Sequence, residues 1–109
     1  MSELAQTACE PCRGGMPPLD AAGIGPLLEQ LHHDWAVVDL HHLHRRFEFP
    51  DFATALRLTN AIGEIAEDMG HHPDLTVGWG YVEVAIYTHA IGGLHLADFV
   101  FAAKVDALG

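Results

Sequence analysis

Eighteen residues between Asp51 and Gly70, FATALRLTNAIGEIAEDM, constrain this chain more than any other stretch. Phe52, Leu56, Thr59, Ile62, Ala66 and Met69 recur at three- and four-residue steps, which predicts a helix with these six on its buried stripe. Asp51 is a suitable N-cap, because its carboxylate can accept the free N–H groups of the first turn. Gly70 stands where a left-handed closing residue belongs, and Pro73 follows at the usual distance. A helix of this length needs an apolar surface to lie on. The flanking sequence has to supply it.

Two strand-like stretches lie on each side. Trp35–Leu40 and His44–Phe49 precede the helix, the second alternating at Phe47 and Phe49 and stopping at Pro50, with a hairpin through His41, His42 and Leu43. Leu75–Trp79 and Tyr81–His89 follow it, and Val82, Val84 and Ile86 alternate against Glu83, Ala85 and Tyr87. A first helix is expected from an Asp20 cap to about His33, carrying Ile24, Leu27, Leu28 and Leu31. A last one is expected from about His95 to Leu108. The order is α-β-β-α-β-β-α. Paired hairpins, in place of regular βα alternation, predict an α+β fold with an antiparallel sheet. Residues 1–18, rich in glycine and proline and without period, read as a flexible tail before a domain over 19–109.

Fifteen acidic residues against five basic give a formal net charge of −10, which repels phosphate backbones and anionic lipid. Nucleic acid and membrane are therefore not expected partners. No apolar run approaches the roughly 20 residues of a membrane span, and the N-terminus has no signal-like start, so a cytoplasmic protein is expected. Cys9 and Cys12 form a single C-x-x-C, which leaves incidental thiols, metal or redox use open.

Nine histidines demand a reason, since imidazole serves as acid, base or ligand near neutral pH. His71 and His72 lie just beyond the long helix. Pro73 biases His72 toward extended backbone, where successive side chains point to opposite faces, so the pair is poorly placed to chelate one ion. That geometry suits two groups contacting different sides of a planar ligand, or one reaching the ligand while its neighbour packs. The plain alternative is two polar side chains on a turn. Glu67, His89 and Asp98 also fall near element ends, and with the histidine pair they can form one acid/base cleft. His41, His42 and His44 compose a rival cluster, solvated or metal-binding. His32 and His33 suit a helix C-terminus, where a cation complements the dipole. Trp35, Phe47, Phe49 and Phe52 read as core.

The spacing Glu67, three residues, His71-His72-Pro73, five residues, Trp79, nine residues, His89, eight residues, Asp98 resembles the active-site pattern of the pterin-4a-carbinolamine dehydratases. RRFEFPDFATAL at 45–56, Thr88-His89 and GGL at 92–94 are similar to the same family, and the likeness covers about residues 19–108. Two positions depart from it. The aromatic slot holds Trp79 rather than tyrosine, and His95 stands where the family has threonine or serine, at an expected capping cost of up to about 1 kcal/mol.

The resemblance implies a two-layer α+β fold, helices against a four-stranded antiparallel sheet, joined through sheet edges into a homodimer or homotetramer. It implies dehydration of 4a-hydroxytetrahydropterin to quinonoid dihydropterin, in pterin recycling after an aromatic amino acid hydroxylase, with no metal or organic cofactor. It casts His71 and His89 as acid/base groups and His72 as the residue that orients the pterin. Glu67 and Asp98 then position the imidazoles, Trp79 flanks the pocket, and Pro73 completes the motif. The family also includes dimerisation cofactors and assembly factors, so a protein-binding module is the alternative. A metal-binding protein built on CEPC and the histidines at 41–44 is a third.

Overall fold

The computed structural model describes residues 17–108. Residues 1–16, with Cys9 and Cys12 and most of the expected tail, lie outside the described residues. Three α-helices and four strands follow in the order α1 (Ala21–Leu28), β1 (Ala36–Val38), β2 (His42–Glu48), α2 (Phe52–Met69), β3 (Asp74–Gly78), β4 (Tyr81–Ile86) and α3 (Leu96–Asp106), with a 3-10 turn over His89–Ile91 between β4 and α3. The sheet is antiparallel throughout, in the order β1-β2-β4-β3. Its fold class and element order are those expected from the sequence.

One face of the sheet carries the core. Leu43 of β2 and Val82, Val84 and Ile86 of β4 are fully buried and cluster with Ile24, Ala55, Ile62, Ala66 and the buried run of α3. Burying side chains of this kind contributes about 1.5–3 kcal/mol each. Helix α3 is buried almost all round, from Ala97 to Ala103 and again at Val105. Ala97, Ala102 and Ala103 present little bulk, which lets neighbouring elements approach closely.

Several boundaries depart from expectation. Helix α1 stops at Leu28, not near His33. Pro26 sits in its last turn without an N–H, and the i→i+3 bonds Gln30 N–H to Leu27 O and Leu31 N–H to Leu28 O tighten the chain into a turn. His32 and His33 therefore lie beyond the helix, stacked on each other beside Asp34. The first hairpin turns at Asp39 and Leu40, both left-handed, so His42 and Leu43 belong to β2. On α2, Ala55, Ile62 and Ala66 face the core, whereas Phe52 and Leu56 are exposed. Trp35 is buried as expected, with Nε1 donating to Asp106.

A second polar knot closes the end of the fold away from the histidine pair. Asp106 accepts from Trp35 Nε1 at 2.7 Å, from Arg45 Nη1 at 2.6 Å and from the His32 backbone at 2.9 Å. The Arg45 guanidinium also lies over the Phe47 ring, 4.1 Å from its centroid.

Candidate active site

Helix α2 aims the histidine pair through its C-terminus. Gly70 takes a left-handed conformation (φ 64°), the N–H of His71 bonds to Ala66 O, and that of Gly70 bonds to Glu67 O. This is the Schellman closure, which a glycine adopts without steric cost. It turns the backbone sharply at the last helical residue. The two imidazoles then find different carboxylates.

His71 Nε2 lies 2.6 Å from Asp98 Oδ1, with the His71 side chain 16% exposed and the Asp98 side chain 0%. The other carboxylate oxygen accepts from Thr88 Oγ1 and from the His95 backbone N–H, both at 2.8 Å. Asp98 occupies the first turn of α3, where the helix dipole favours a negative group. Because a carboxylate accepts, Nε2 of His71 is the protonated nitrogen, and Nδ1 has no partner among the described residues. Phe101 stands edge-on behind the ring, 6.5 Å between centroids. His72 Nε2 pairs with Glu67 Oε2 at 2.6 Å, but both side chains are largely exposed. Glu67 thus serves His72, five residues on, and not His71.

The loop after β4 brings the third histidine. Thr88 and Gly93 pair as an isolated antiparallel bridge, so residues 88–93 close on themselves and display His89 at the start of the 3-10 turn. A side chain at Gly93 would meet Pro18, its Cβ only 2.7 Å from that of Pro18, so close packing requires glycine there. His89 is exposed and stacks on Tyr87, 4.1 Å between centroids, and Tyr87 in turn contacts His41 at 4.3 Å. Through Thr88, His89 is one residue from the Asp98 hub.

Of the seven residues expected at the site, the structure joins His71 to Asp98 and His72 to Glu67, and sets His89 next to Thr88. Pro73 leads directly into β3. Trp79 is separate. It forms the turn joining β3 to β4, 75% exposed, and at about 3.3 Å per strand residue it is roughly 17 Å along β3 from the histidine end. Thr88 is the member that residue-by-residue reading missed as a buried donor. It continues the inward alternation of Val82, Val84 and Ile86, and a hydroxyl at an inward position needs an acceptor.

The rival histidines behave differently. His41 Nδ1 and His42 Nδ1 approach to 3.1 Å. Burial, with help from neighbouring His41 and His44 and against Asp39, holds His42 below the usual histidine range. Among the described residues, the three side chains whose ligand atoms could converge on a metal are His32, His33 and Asp34, all exposed; the 41–44 cluster does not converge in this way.

Comparison with known proteins places the chain in a family. Residues 17–108 match the family model described as pterin 4 alpha carbinolamine dehydratase. A protein of Rubrobacter xylanophilus, provisionally named as such a dehydratase, is 53% identical over 108 residues, covering 99% of this chain and all of that one. One from Alkaliphilus metalliredigens, named in the same way, is 50% identical over 97% of this chain and 96% of its own. Among solved structures, a transcriptional coactivator/pterin dehydratase from Brucella melitensis superposes with a TM-score of 0.77 at 29% identity, over 84% of this chain and 97% of that one. A pterin dehydratase-like protein, identified as a RuBisCO assembly factor in the alpha-carboxysome, gives 0.60 at 30% identity, over 71% and 90%.

Proposed function

This chain belongs to the pterin-4-alpha-carbinolamine dehydratase family, and from that premise we propose that it dehydrates a 4a-hydroxytetrahydropterin to the quinonoid dihydropterin and water. The observation that carries the reading is the His71–Asp98 pair: a nearly buried imidazole held by one nitrogen, with the other unpartnered among the described residues. Elimination breaks the C4a–O bond, delivers one proton to the departing hydroxyl and removes one from a ring nitrogen, so no proton is gained or lost overall. Two imidazoles can share these transfers, each contributing typically about 10²–10⁴-fold. His71 and His89 take that role, and His72 with Glu67 orients the pterin at the exposed rim. Asp98 acts through His71 as a positioning group. Trp79, at the opposite hairpin turn, is given no contact in the site of its own protomer.

No helix among the described residues is long and apolar enough to cross a membrane. The proposed setting is the cytoplasm, as a homodimer or homotetramer recycling tetrahydropterin.

A second reading rests on the solved relatives, one a transcriptional coactivator/pterin dehydratase and one a RuBisCO assembly factor. On that reading the fold serves as a protein-binding module. The test is the decay of freshly generated 4a-hydroxytetrahydropterin, followed with a chelator present. Acceleration of 100-fold or more over buffer supports the dehydratase. A rate equal to buffer removes it and leaves the protein-binding reading.

A further inference from the structure

His89 has no hydrogen bond or ion pair from its ring among the described residues; its ring stacks on Tyr87, at 4.1 Å and 29°. It is exposed, and it begins a 3-10 turn of three residues, which offers little restraint of its own. An unrestrained imidazole samples several rotamers, and a displacement of about 1 Å from a productive geometry can cost on the order of 10² in rate. The ring that prevents this is Tyr87.

Tyr87 is itself braced. It contacts His41 at 4.3 Å, with the rings tilted by 41°. His41 is fixed from two directions: its backbone N–H closes the hairpin onto Val38 O at 2.8 Å, and its Nδ1 lies 3.1 Å from that of half-buried His42. In the three-residue connection between paired Val38 and His42, Asp39 and Leu40 are both left-handed, at φ 54° and 55°. Thr88 pins the backbone between Tyr87 and His89 by its bonds to Gly93 and Asp98. A row of rings therefore runs from the β1–β2 hairpin to the edge of the candidate site, next to the residue that holds Asp98.

We infer that Tyr87 is a positioning residue for His89, and that His41 braces it. The inference rests on the proposed reaction, in which His89 exchanges a proton with the pterin. The stack offers one face of the imidazole to the phenol and leaves the ring edge, with both nitrogens, for substrate. The aromatic face carries the effect, so the phenolic hydroxyl is dispensable.

The experiment compares wild type with Tyr87→Phe, Tyr87→Leu, His41→Ala and His41→Phe, using dehydration kinetics and the ring-proton shifts of His89 by NMR. Tyr87→Leu lowers kcat 10- to 100-fold with KM within threefold, and the upfield ring-current shift of the His89 protons disappears. Tyr87→Phe keeps both within threefold of wild type. His41→Ala gives a smaller loss, which His41→Phe restores. An active wild type with an unimpaired Tyr87→Leu defeats the positioning role alone. So does an unchanged His89 shift in Tyr87→Leu, whatever the rate. A wild type no faster than buffer defeats the reading of the reaction instead, so the two failures are distinguishable.

Discussion

Asp98 holds His71 across 2.6 Å from inside the protein, its own side chain fully buried and both its oxygens occupied. One carboxylate thereby joins three elements: the turn after α2, the loop after β4 and the first turn of α3. Replacing it removes an acceptor shared by three donors. Asp98→Ala is expected to destabilise the fold by about 3 kcal/mol, the usual scale for stranding buried hydrogen-bonding groups. The folded fraction should lose dehydration activity on the order of 10²-fold, because His71 is no longer fixed in one tautomer. Urea unfolding followed by single-turnover kinetics checks both.

Gly70 sets the direction in which His71 leaves the helix. Its left-handed backbone is open to a glycine but costs a side-chain-bearing residue about 1–2 kcal/mol, even though a Cβ there would touch nothing within 4 Å. Gly70→Ala should lower stability by that amount and reduce the dehydration rate, since relief of the strain swings His71 off Asp98. The two effects are read from denaturant midpoints and from initial rates at saturating substrate.

Asp106 provides the contrast. It receives Trp35, Arg45 and the His32 backbone at the end of the fold remote from the histidine pair. Asp106→Ala leaves a largely buried guanidinium without its ion partner and should cost about 3–5 kcal/mol. Activity per folded molecule should stay within threefold of wild type.

The acid limb of stability should trace in part to His42. Burial depresses its affinity for a proton in the folded chain, first, and the neighbouring His41 and His44 add to this. As pH falls below the ordinary histidine value of about 6.5, the unfolded chain takes up a proton that the folded one resists. The fold therefore loses stability below that pH and keeps it above. His42→Gln should flatten this limb. Melting temperatures at pH 7.5 and 5.5 check it: the drop is smaller in the variant, and an equal drop contradicts the assignment.

Where the sequence carried local chemistry, the fold was legible. Helix α2 begins at Phe52 and ends at Met69 because Asp51 caps one end, its carboxylate accepting from Thr54 N–H, and Gly70 closes the other. The β4 alternation is equally local. The buried face of α2 was legible in part: Ile62 and Ala66 of the expected stripe are buried. Phe52 and Leu56 at its start are exposed and Ala55, outside the stripe, is buried, because packing against the sheet and α3 decides the first turns. The early end of α1 at Leu28 was concealed by an apolar stripe that runs on to Leu31. In the candidate site, the motif singled out residues but not their pairings. Glu67 lies four residues before His71, yet the turn at Gly70 gives it to His72, and Asp98 reaches His71 from 27 positions away. Trp79 shows the opposite limit: the strand reading Leu75–Trp79 then Tyr81–His89 already put it at the hairpin turn, and the motif spacing alone grouped it with the histidines.

The measurement that bears most directly on the central claim is the first-order decay of 4a-hydroxytetrahydropterin with wild type and with His71→Ala, chelator present throughout. The account predicts acceleration by wild type of 100-fold or more and its loss by at least tenfold in the variant, with an unchanged circular dichroism spectrum. Equal rates for the two folded proteins would contradict it, since the imidazole that Asp98 holds would then take no part in the elimination.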